Sequence, residues 1–166
     1  ETGHSMDLDT IGASADPATV RRAVPVDWDL EPSLRWLGRR ARDLRVGERF
    51  SIEARDTITS APELVRGSLN MAMAHTDAKL SYLGERLVYG GHVIFMAFAQ
   101  VTRALPNLLT ITAWDSCDHT APVVENDRLR TAFTVLDRID LPQGALLKLG
   151  VESFSARGEP EQETRV

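Results

Sequence analysis

The chain has 166 residues, of which 43% are hydrophobic and 26% are charged. This length and mixture fit one globular domain and exclude a disordered or membrane-embedded chain. The formal net charge of −5 excludes nucleic acid as a partner, because proteins that follow phosphate backbones carry clustered Lys and Arg.

Cys117 is the sole cysteine of the sequence, so an internal disulfide is excluded and a cytoplasmic location is favoured. The longest apolar run, residues 93–99, is far shorter than the ~20 residues of a membrane helix. The N-terminus also lacks the basic and apolar pattern of a signal peptide. We therefore expect no membrane partner.

The first 45 residues are rich in Asp, Arg and Pro and predict an arm that packs on the domain. Residues 1–6 show no pattern and are expected to be a cloning remnant, with Met6 as the native start. Trp28 and Trp36 are among the few apolar anchors of this arm. They are expected to dock it across a dimer interface or over a pocket.

Three elements are predicted before the middle of the chain. An Asp-Pro pair begins a short helix over residues 16–22. Alternating polarity over residues 50–58 predicts the first strand of the core. Ser60 and Glu63 have the spacing of a capping box, which predicts a helix that begins there and ends near Asn70.

A central helix is predicted from Gly91 to Leu105, after the Gly90-Gly91 pair and before Pro106. It is apolar on nearly every side, so we expect most of its faces to be buried. Strands are then predicted over residues 108–117, 127–137 and 145–156, with the alternation of an antiparallel sheet. Strand–helix units do not alternate along the chain, which excludes a Rossmann or barrel fold. The pattern favours an α+β protein in which the sheet wraps around this helix.

Two motifs carry a resemblance to a known family. Residues 70–77 read Asn-Met-Ala-Met-Ala-His-Thr-Asp, and residues 87–94 read Leu-Val-Tyr-Gly-Gly-His-Val-Ile. Together they resemble the MaoC-like hydratases and dehydratases, and the second motif is particularly similar to the C-terminal hotdog domain of mesaconyl-CoA hydratases (β-methylmalyl-CoA dehydratases). The resemblance spans residues 46–151, including Ala-Pro-Val before Asn-Asp at residues 121–127.

The resemblance implies a hotdog fold for residues 46–166, in which residues 163–166 only begin the last strand. It also implies a homodimer or a pairing with another hotdog half. The implied activity is a carbon–oxygen lyase, a hydratase or dehydratase, that acts on an enoyl or 3-hydroxyacyl thioester of CoA or acyl carrier protein. That reaction needs no metal or redox cofactor.

The resemblance also implies roles for individual residues. Hydration of a conjugated thioester needs a group that moves protons and donors for the enolate oxygen. His75 is expected to move the protons, because imidazole exchanges protons near neutral pH. The backbone of Gly90 and Gly91 is expected to bind the thioester oxygen at the helix N-terminus. Tyr89 and His92 flank this pair and complete the expected substrate site.

Asn70 is a departure from part of the family. The (R)-specific enoyl-CoA hydratases have an Asp five residues before the histidine, whereas this chain has Asn70 there. An amide cannot take a proton at neutral pH, but it can orient the water or the thioester oxygen. Considered without the resemblance, Asn70 is an ordinary helix cap and His75 an ordinary structural residue.

Two other functions stay open at this point. A thioesterase would use a carboxylate near the central helix, for which Glu85 is the nearest candidate. A non-catalytic hotdog would bind an acyl group or support a catalytic half, and Asn70 is the feature that favours it. Basic Lys79 and Arg86 are expected either to meet CoA phosphates or to be solvated surface charges.

A metal or nucleophile site over residues 115–119 is not favoured. Asp115, Cys117, Asp118 and His119 crowd one predicted strand end. Neighbouring residues on a strand point to opposite faces, so Asp118 and His119 cannot share a ligand without a bend. One Cys and one Asp alone make a poor metal site.

Overall fold

The structure is a computed structural model that describes residues 16–22, 25–35, 38–70, 72–142, 144–158 and 160–166. Residues 1–6, expected to be a cloning remnant, lie outside this described part, and so does Trp36. The predicted division between an arm and a domain at residue 45 stays a prediction. In the described helices, no segment is long and apolar enough to cross a membrane.

Three α-helices and four strands form the described chain. The helices are α1 (Pro17–Arg22), α2 (Ala61–Gly67) and α3 (Gly90–Ala104). The strands are β1 (Arg49–Thr57), β2 (Arg128–Leu141), β3 (Gly144–Arg157) and β4 (Gln162–Arg165). Short 3-10 turns lie at Glu31–Arg35, Ala41–Asp43, Met73–His75 and Ala78–Leu80. The helix predicted over residues 16–22 is confirmed as α1. The strands predicted over residues 50–58, 127–137 and 145–156 are confirmed as β1, β2 and β3.

The strands form one antiparallel sheet in the order β1-β2-β3-β4. β2 and β3 pair along their whole length as a long hairpin, whereas β4 pairs with β3 only at Phe154–Arg157. The predicted strand over residues 108–117 is wrong, because this segment has no ladder partner in the described chain. Alternating sequence alone does not make a strand, since a strand also needs a neighbour for its backbone hydrogen bonds.

Helix α3 packs on this sheet, as the predicted α+β arrangement requires. Its buried residues form one stripe, namely Val93, Ala97, Gln100 and Val101. Burial on most faces was predicted and is wrong, because Phe95 is 64% exposed and Ile94 and Phe98 are half-buried. An apolar helix can leave part of its surface uncovered when only one sheet lies against it.

The buried stripe contains one polar residue, Gln100, which ties α3 to the sheet. Its Nε2 donates to Asp56 Oδ2 over 2.7 Å and to Leu129 O over 2.9 Å. Arg103 adds an ion pair with the same Asp56. These bonds fix the helix on β1 and β2, because a buried amide is costly to leave unbonded.

The capping box predicted for Ser60 and Glu63 is wrong. Ser60 does precede α2, but it has a left-handed backbone with φ of 56° and its side chain makes no capping bond. A capping side chain needs an extended backbone at that position to reach the free N–H groups. The helix instead begins with Pro62 in its first turn and ends at Gly67, before Asn70.

Candidate active site

The loop between α2 and α3 carries most of the predicted site, and its backbone is held by local bonds. Asn70 Oδ1 accepts from the Ala72 N–H over 2.9 Å. The carbonyl of Ala72 in turn accepts from the His75 N–H over 3.1 Å. Asn70 therefore orients the short turn that presents His75.

His75 is half-buried, and its Nδ1 lies 2.9 Å from the carbonyl oxygen of Leu87. A carbonyl can only accept a hydrogen bond, so Nδ1 carries the hydrogen in this pair. Nε2 of the neutral ring is then the basic nitrogen. The His75 ring also lies against the Tyr89 ring, with centroids 6.0 Å apart.

Leu87 is itself held on both sides. Its N–H donates to Ala74 O over 3.1 Å, and it forms a β-bridge with Val124. The neighbouring Val88 N–H donates to Val123 O over 2.8 Å. The carbonyl that fixes His75 therefore belongs to a short paired segment rather than to a free loop.

A buried carboxylate, Asp127, holds the loop that pairs with Leu87 and Val88. Asp127 is 2% exposed, and its Oδ2 accepts from Ser155 Oγ and from the Arg157 guanidinium, each over 2.6 Å. The same oxygen accepts from the Val124 N–H over 3.1 Å. A buried charge with three donors is well satisfied, so Asp127 fastens residues 122–127 to β3.

Two side chains lie close to the N-terminus of α3. A Cβ added at Gly91 would lie 2.6 Å from ring carbons of Tyr89, and one at Gly90 would lie 2.5 Å from His119 Nε2. A larger residue at either position would require the Tyr89 or the His119 side chain to move. Because the first N–H groups of a helix lack a carbonyl in their own helix, they are available to an oxygen of a ligand.

His92 lies in the first turn of α3. Burial lowers its pKa, so the ring is neutral at neutral pH. Its Nδ1 is buried and has no hydrogen-bond partner among the described residues. The backbone N–H of His92 donates to Tyr89 O over 2.8 Å.

Asp115, Cys117 and Asp118, which were considered for a metal site, lie along a segment that belongs to no strand. Asp115 forms an ion pair with Lys148 of β3, whereas Cys117 and Asp118 are exposed. Within the described chain, no group of three His, Cys, Asp or Glu side chains has the geometry to hold a metal ion. His119 is different, because its ring reaches Gly90 at the α3 N-terminus. No sequence pattern indicated that contact, since 29 positions separate the two residues.

The charged candidates of the loop have distinct settings. Arg86 forms an ion pair with Glu125, and its Nε donates to Thr76 O over 3.2 Å. Arg86 therefore fastens the loop rather than standing as a free surface charge. Glu85 and Lys79 are exposed.

A groove of about 1630 Å³ lies beside the predicted site rather than on it. We call it the α3–β3 groove, and it is lined by α3, β3, the end of β2, residues 107–120 and residues from the N-terminal part of the chain, among them Trp28 and Leu44. His119 and Val93 line it, whereas His75 and Tyr89 do not. The structure therefore brings His75, Tyr89 and the α3 N-terminus together and leaves the large groove on the side of His119.

The comparisons first establish the class. A conserved hypothetical protein from Mycobacterium tuberculosis with a double hotdog fold matches with a TM-score of 0.77 and 36% identity. The match covers 98% of this chain and 48% of that one. The chain is a hotdog-fold protein, as its motifs predicted.

Curated relatives then give a closer comparison. The chain is 32% identical over 128 residues to mesaconyl-CoA hydratase of Cereibacter sphaeroides. This match covers 70% of this chain and 37% of the relative. It is 30% identical over 105 residues to β-methylmalyl-CoA dehydratase of Chloroflexus aurantiacus, which covers 60% and 30% respectively. The predicted resemblance to these proteins is confirmed. The chain spans 37% of the length of the first relative and 30% of the second, and no protein-family model matches it.

Proposed function

We propose that this chain is a hydratase or dehydratase unit that acts on an enoyl or 3-hydroxyacyl thioester of CoA or acyl carrier protein. The observation that carries the proposal is the hydrogen bond between His75 Nδ1 and Leu87 O. That bond fixes the ring and leaves Nε2 as the base. The names of the two curated relatives support the same reaction class.

In the proposed reaction, His75 Nε2 takes a proton from water as the oxygen attacks the β-carbon of the enoyl group. The electron pair moves towards the thioester oxygen, which then carries negative charge. The N–H groups of Gly90 and Gly91 are suited to bind that oxygen, because partial positive charge collects at a helix N-terminus. Protonated His75 then returns the proton to the α-carbon, so that atoms and charge balance.

Asn70, Tyr89 and His92 have supporting roles in this proposal. Asn70 orients the His75 turn through Ala72, and its amide NH₂ group can donate to the water or the thioester oxygen. The Tyr89 ring packs beside His75 and lies next to Gly91. Neutral His92 lies in the same turn. No metal or redox cofactor enters the proposed steps.

The proposal also includes a partner and a location. The double hotdog neighbour is about twice the length of this chain, which supports a pairing of this unit with a second copy or another hotdog half. Cys117 is free and exposed, which fits a reducing cytoplasm because exposed thiols are prone to oxidation elsewhere.

The test is mass spectrometry of thioesters after incubation with the purified chain. Crotonyl-CoA and mesaconyl-CoA serve as substrates, and His75→Gln and Asp118→Asn are the compared variants. Gln keeps a donor near Leu87 but cannot move protons, so we expect the rate of water addition to fall by about 10²–10⁴-fold. Asp118 is exposed, and its variant should keep the parent rate.

Each other outcome has a definite meaning. Release of free CoA without a water adduct would favour a thioesterase, and loss of that release in Glu85→Gln would identify its carboxylate. Unchanged substrate with every variant would contradict the proposed catalysis and favour an acyl-binding unit. Equal rates in the parent and in His75→Gln would remove His75 from the mechanism.

A further inference from the structure

Residues 76–86 form a loop whose two ends meet beside His75. The Leu87 N–H donates to Ala74 O over 3.1 Å, and His75 Nδ1 lies 2.9 Å from Leu87 O. Tyr82, far from both ends of the loop, is 78% exposed. The base of the loop, rather than its tip, therefore fixes the position of the His75 ring.

Arg86 is the side chain that crosses the base of this loop. Its Nε donates to the carbonyl of Thr76, the residue directly after His75, over 3.2 Å. Its own backbone carbonyl accepts from the Glu125 N–H over 3.2 Å. The next residue, Leu87, provides the carbonyl that faces His75 Nδ1. Arg86 thus binds the chain on one side of the His75 hydrogen bond and adjoins the residue on the other side.

A carboxylate holds the guanidinium of Arg86 in this orientation. Nη1 of Arg86 forms an ion pair with Glu125 Oε2. Both side chains are 28% exposed, so water screens this pair less than the pair of Arg66 and Glu63 on α2, which are 65% and 64% exposed. Because the guanidinium is a rigid plane, binding of Nη1 also fixes the direction of Nε.

These contacts favour a role for Arg86 inside the chain over one in binding CoA phosphates. Its Nε and Nη1 both have acceptors within the chain. A phosphate would have to compete with the charge-assisted bond to Glu125, which is stronger than a neutral hydrogen bond. The guanidinium is therefore committed to the base of the loop.

We propose that Arg86, held by Glu125, is a positioning residue that keeps the ring hydrogen of His75 on Nδ1. The bond to Thr76 O keeps the two ends of the loop together, so that Leu87 O stays within reach of Nδ1. The hydrogen bond at one ring nitrogen determines which nitrogen is left basic, and here that is Nε2. The catalytic consequence rests on the function proposed above, whereas the effect on the ring does not.

The first test is nitrogen NMR of the whole chain with ¹⁵N-labelled histidine, at a pH of about 8.5 where an ordinary imidazole is neutral. The two ring nitrogens have different resonances according to which of them holds the hydrogen. The chain has four histidines, and His75→Gln identifies the signals of His75. We expect the parent to hold the hydrogen of His75 on Nδ1.

Three variants then change the base of the loop or a control pair. In Arg86→Gln, the ratio of the Nδ1–H to the Nε2–H form should fall by roughly five- to tenfold, the effect of weakening one ordinary hydrogen bond. Glu125→Gln should lower the ratio by a smaller factor, because its amide oxygen still accepts from Nη1. Arg66→Gln removes the exposed ion pair on α2 and should leave the ratio unchanged.

Arg86→Lys separates the positive charge from the geometry. Lysine keeps the charge but has one nitrogen in place of Nε and Nη1, so the ratio should fall nearly as far as in Arg86→Gln. With crotonyl-CoA, we expect kcat to fall about tenfold and KM to stay within about twofold, since a displaced base slows the reaction rather than substrate binding. Circular dichroism verifies that each variant is folded.

The outcomes separate the positioning role from the proposed function. An unaltered ratio in folded Arg86→Lys and Glu125→Gln would overturn the positioning role, whether or not the chain hydrates thioesters. A raised KM with an unaltered ratio would also overturn it and would assign Arg86 to substrate binding. A lowered ratio in a chain that hydrates no thioester would support the positioning role and contradict the proposed function.

Discussion

The two segments that flank α3 in the sequence differ in how their backbones are held. The segment before it, residues 70–89, is tied by bonds of Asn70, His75 and Leu87, and it rests on Asp127. The segment after it, residues 107–120, has no ladder partner in the described chain. Both segments expose large apolar side chains, such as Tyr82 in the first and Trp114 in the second. Hydrogen-bond partners for the backbone, more than side-chain polarity, therefore decide whether a segment is held in place.

The largest expected effect comes from removing the carboxylate beneath the organised segment. Asp127→Ala leaves the Val124 N–H and Ser155 without their acceptor, so the free energy of unfolding should fall by about 3 kcal/mol. Urea denaturation measures the change. Asp118→Ala, at an exposed site beyond α3, should change it by less than about 0.5 kcal/mol. Equal losses in the two variants would contradict the contrast between the segments.

A smaller effect concerns the ion pairs that hold β4 at the edge of the groove. Hydrogen bonds and charge from Arg130, followed by Arg55, lower the pKa of Glu163 from 4.5 to about 2. A carboxyl whose pKa is lowered by folding stabilises the fold above about pH 4.5, and this contribution is lost as the pH falls towards 2. Its size should be about 1 kcal/mol or less, because the Glu163 side chain is 30% exposed.

Comparison with Glu163→Gln isolates that contribution. Urea denaturation of both proteins across this pH range should show a stability difference that shrinks with acid. A difference that stays constant with pH would show that protonation of Glu163 does not weaken the attachment of β4.

The smallest change in the free energy of unfolding is expected for residues 107–120. Ile111 is 42% exposed, so Ile111→Thr should change the free energy of unfolding by less than about 0.5 kcal/mol. Val124→Thr makes a similar change at a site that is 3% exposed and should cost more than about 1 kcal/mol, since it buries a hydroxyl. Unfolding in urea ranks the two. The reverse order would mean that residues 107–120 are the better packed segment.

Local sequence patterns predicted most helices and strands but not which neighbours each of them has in the fold. The alternation in β1, β2 and β3 was sufficient, because each of these strands has a ladder partner in the sheet. The same kind of alternation failed at residues 108–117, where pairing depends on a strand from elsewhere. The Ser60 capping box failed for a related reason, because its residue types were right while the backbone angle at Ser60 was not.

The candidate site divides in the same way. His75, Tyr89, Gly90 and Gly91 could be selected from their motifs, and their catalytic roles stay predictions. Their contacts could not be selected, because Leu87 O, Asp127 and His119 reach the site through tertiary folding. A motif identifies candidate residues from their types and spacing. Their hydrogen-bond partners depend on which groups the folded chain brings together.

Residue patterns and motifs were enough to predict the hotdog class, the hairpin of β2 and β3, the position of α3 and the resemblance to mesaconyl-CoA hydratases. These follow from local periodicity and from motifs that lie within a few residues. The contact of His75 Nδ1 with Leu87 O and the uncovered face of α3 became visible only in the folded chain. Those properties depend on contacts between distant residues, and burial and backbone pairing arise only when the chain is folded.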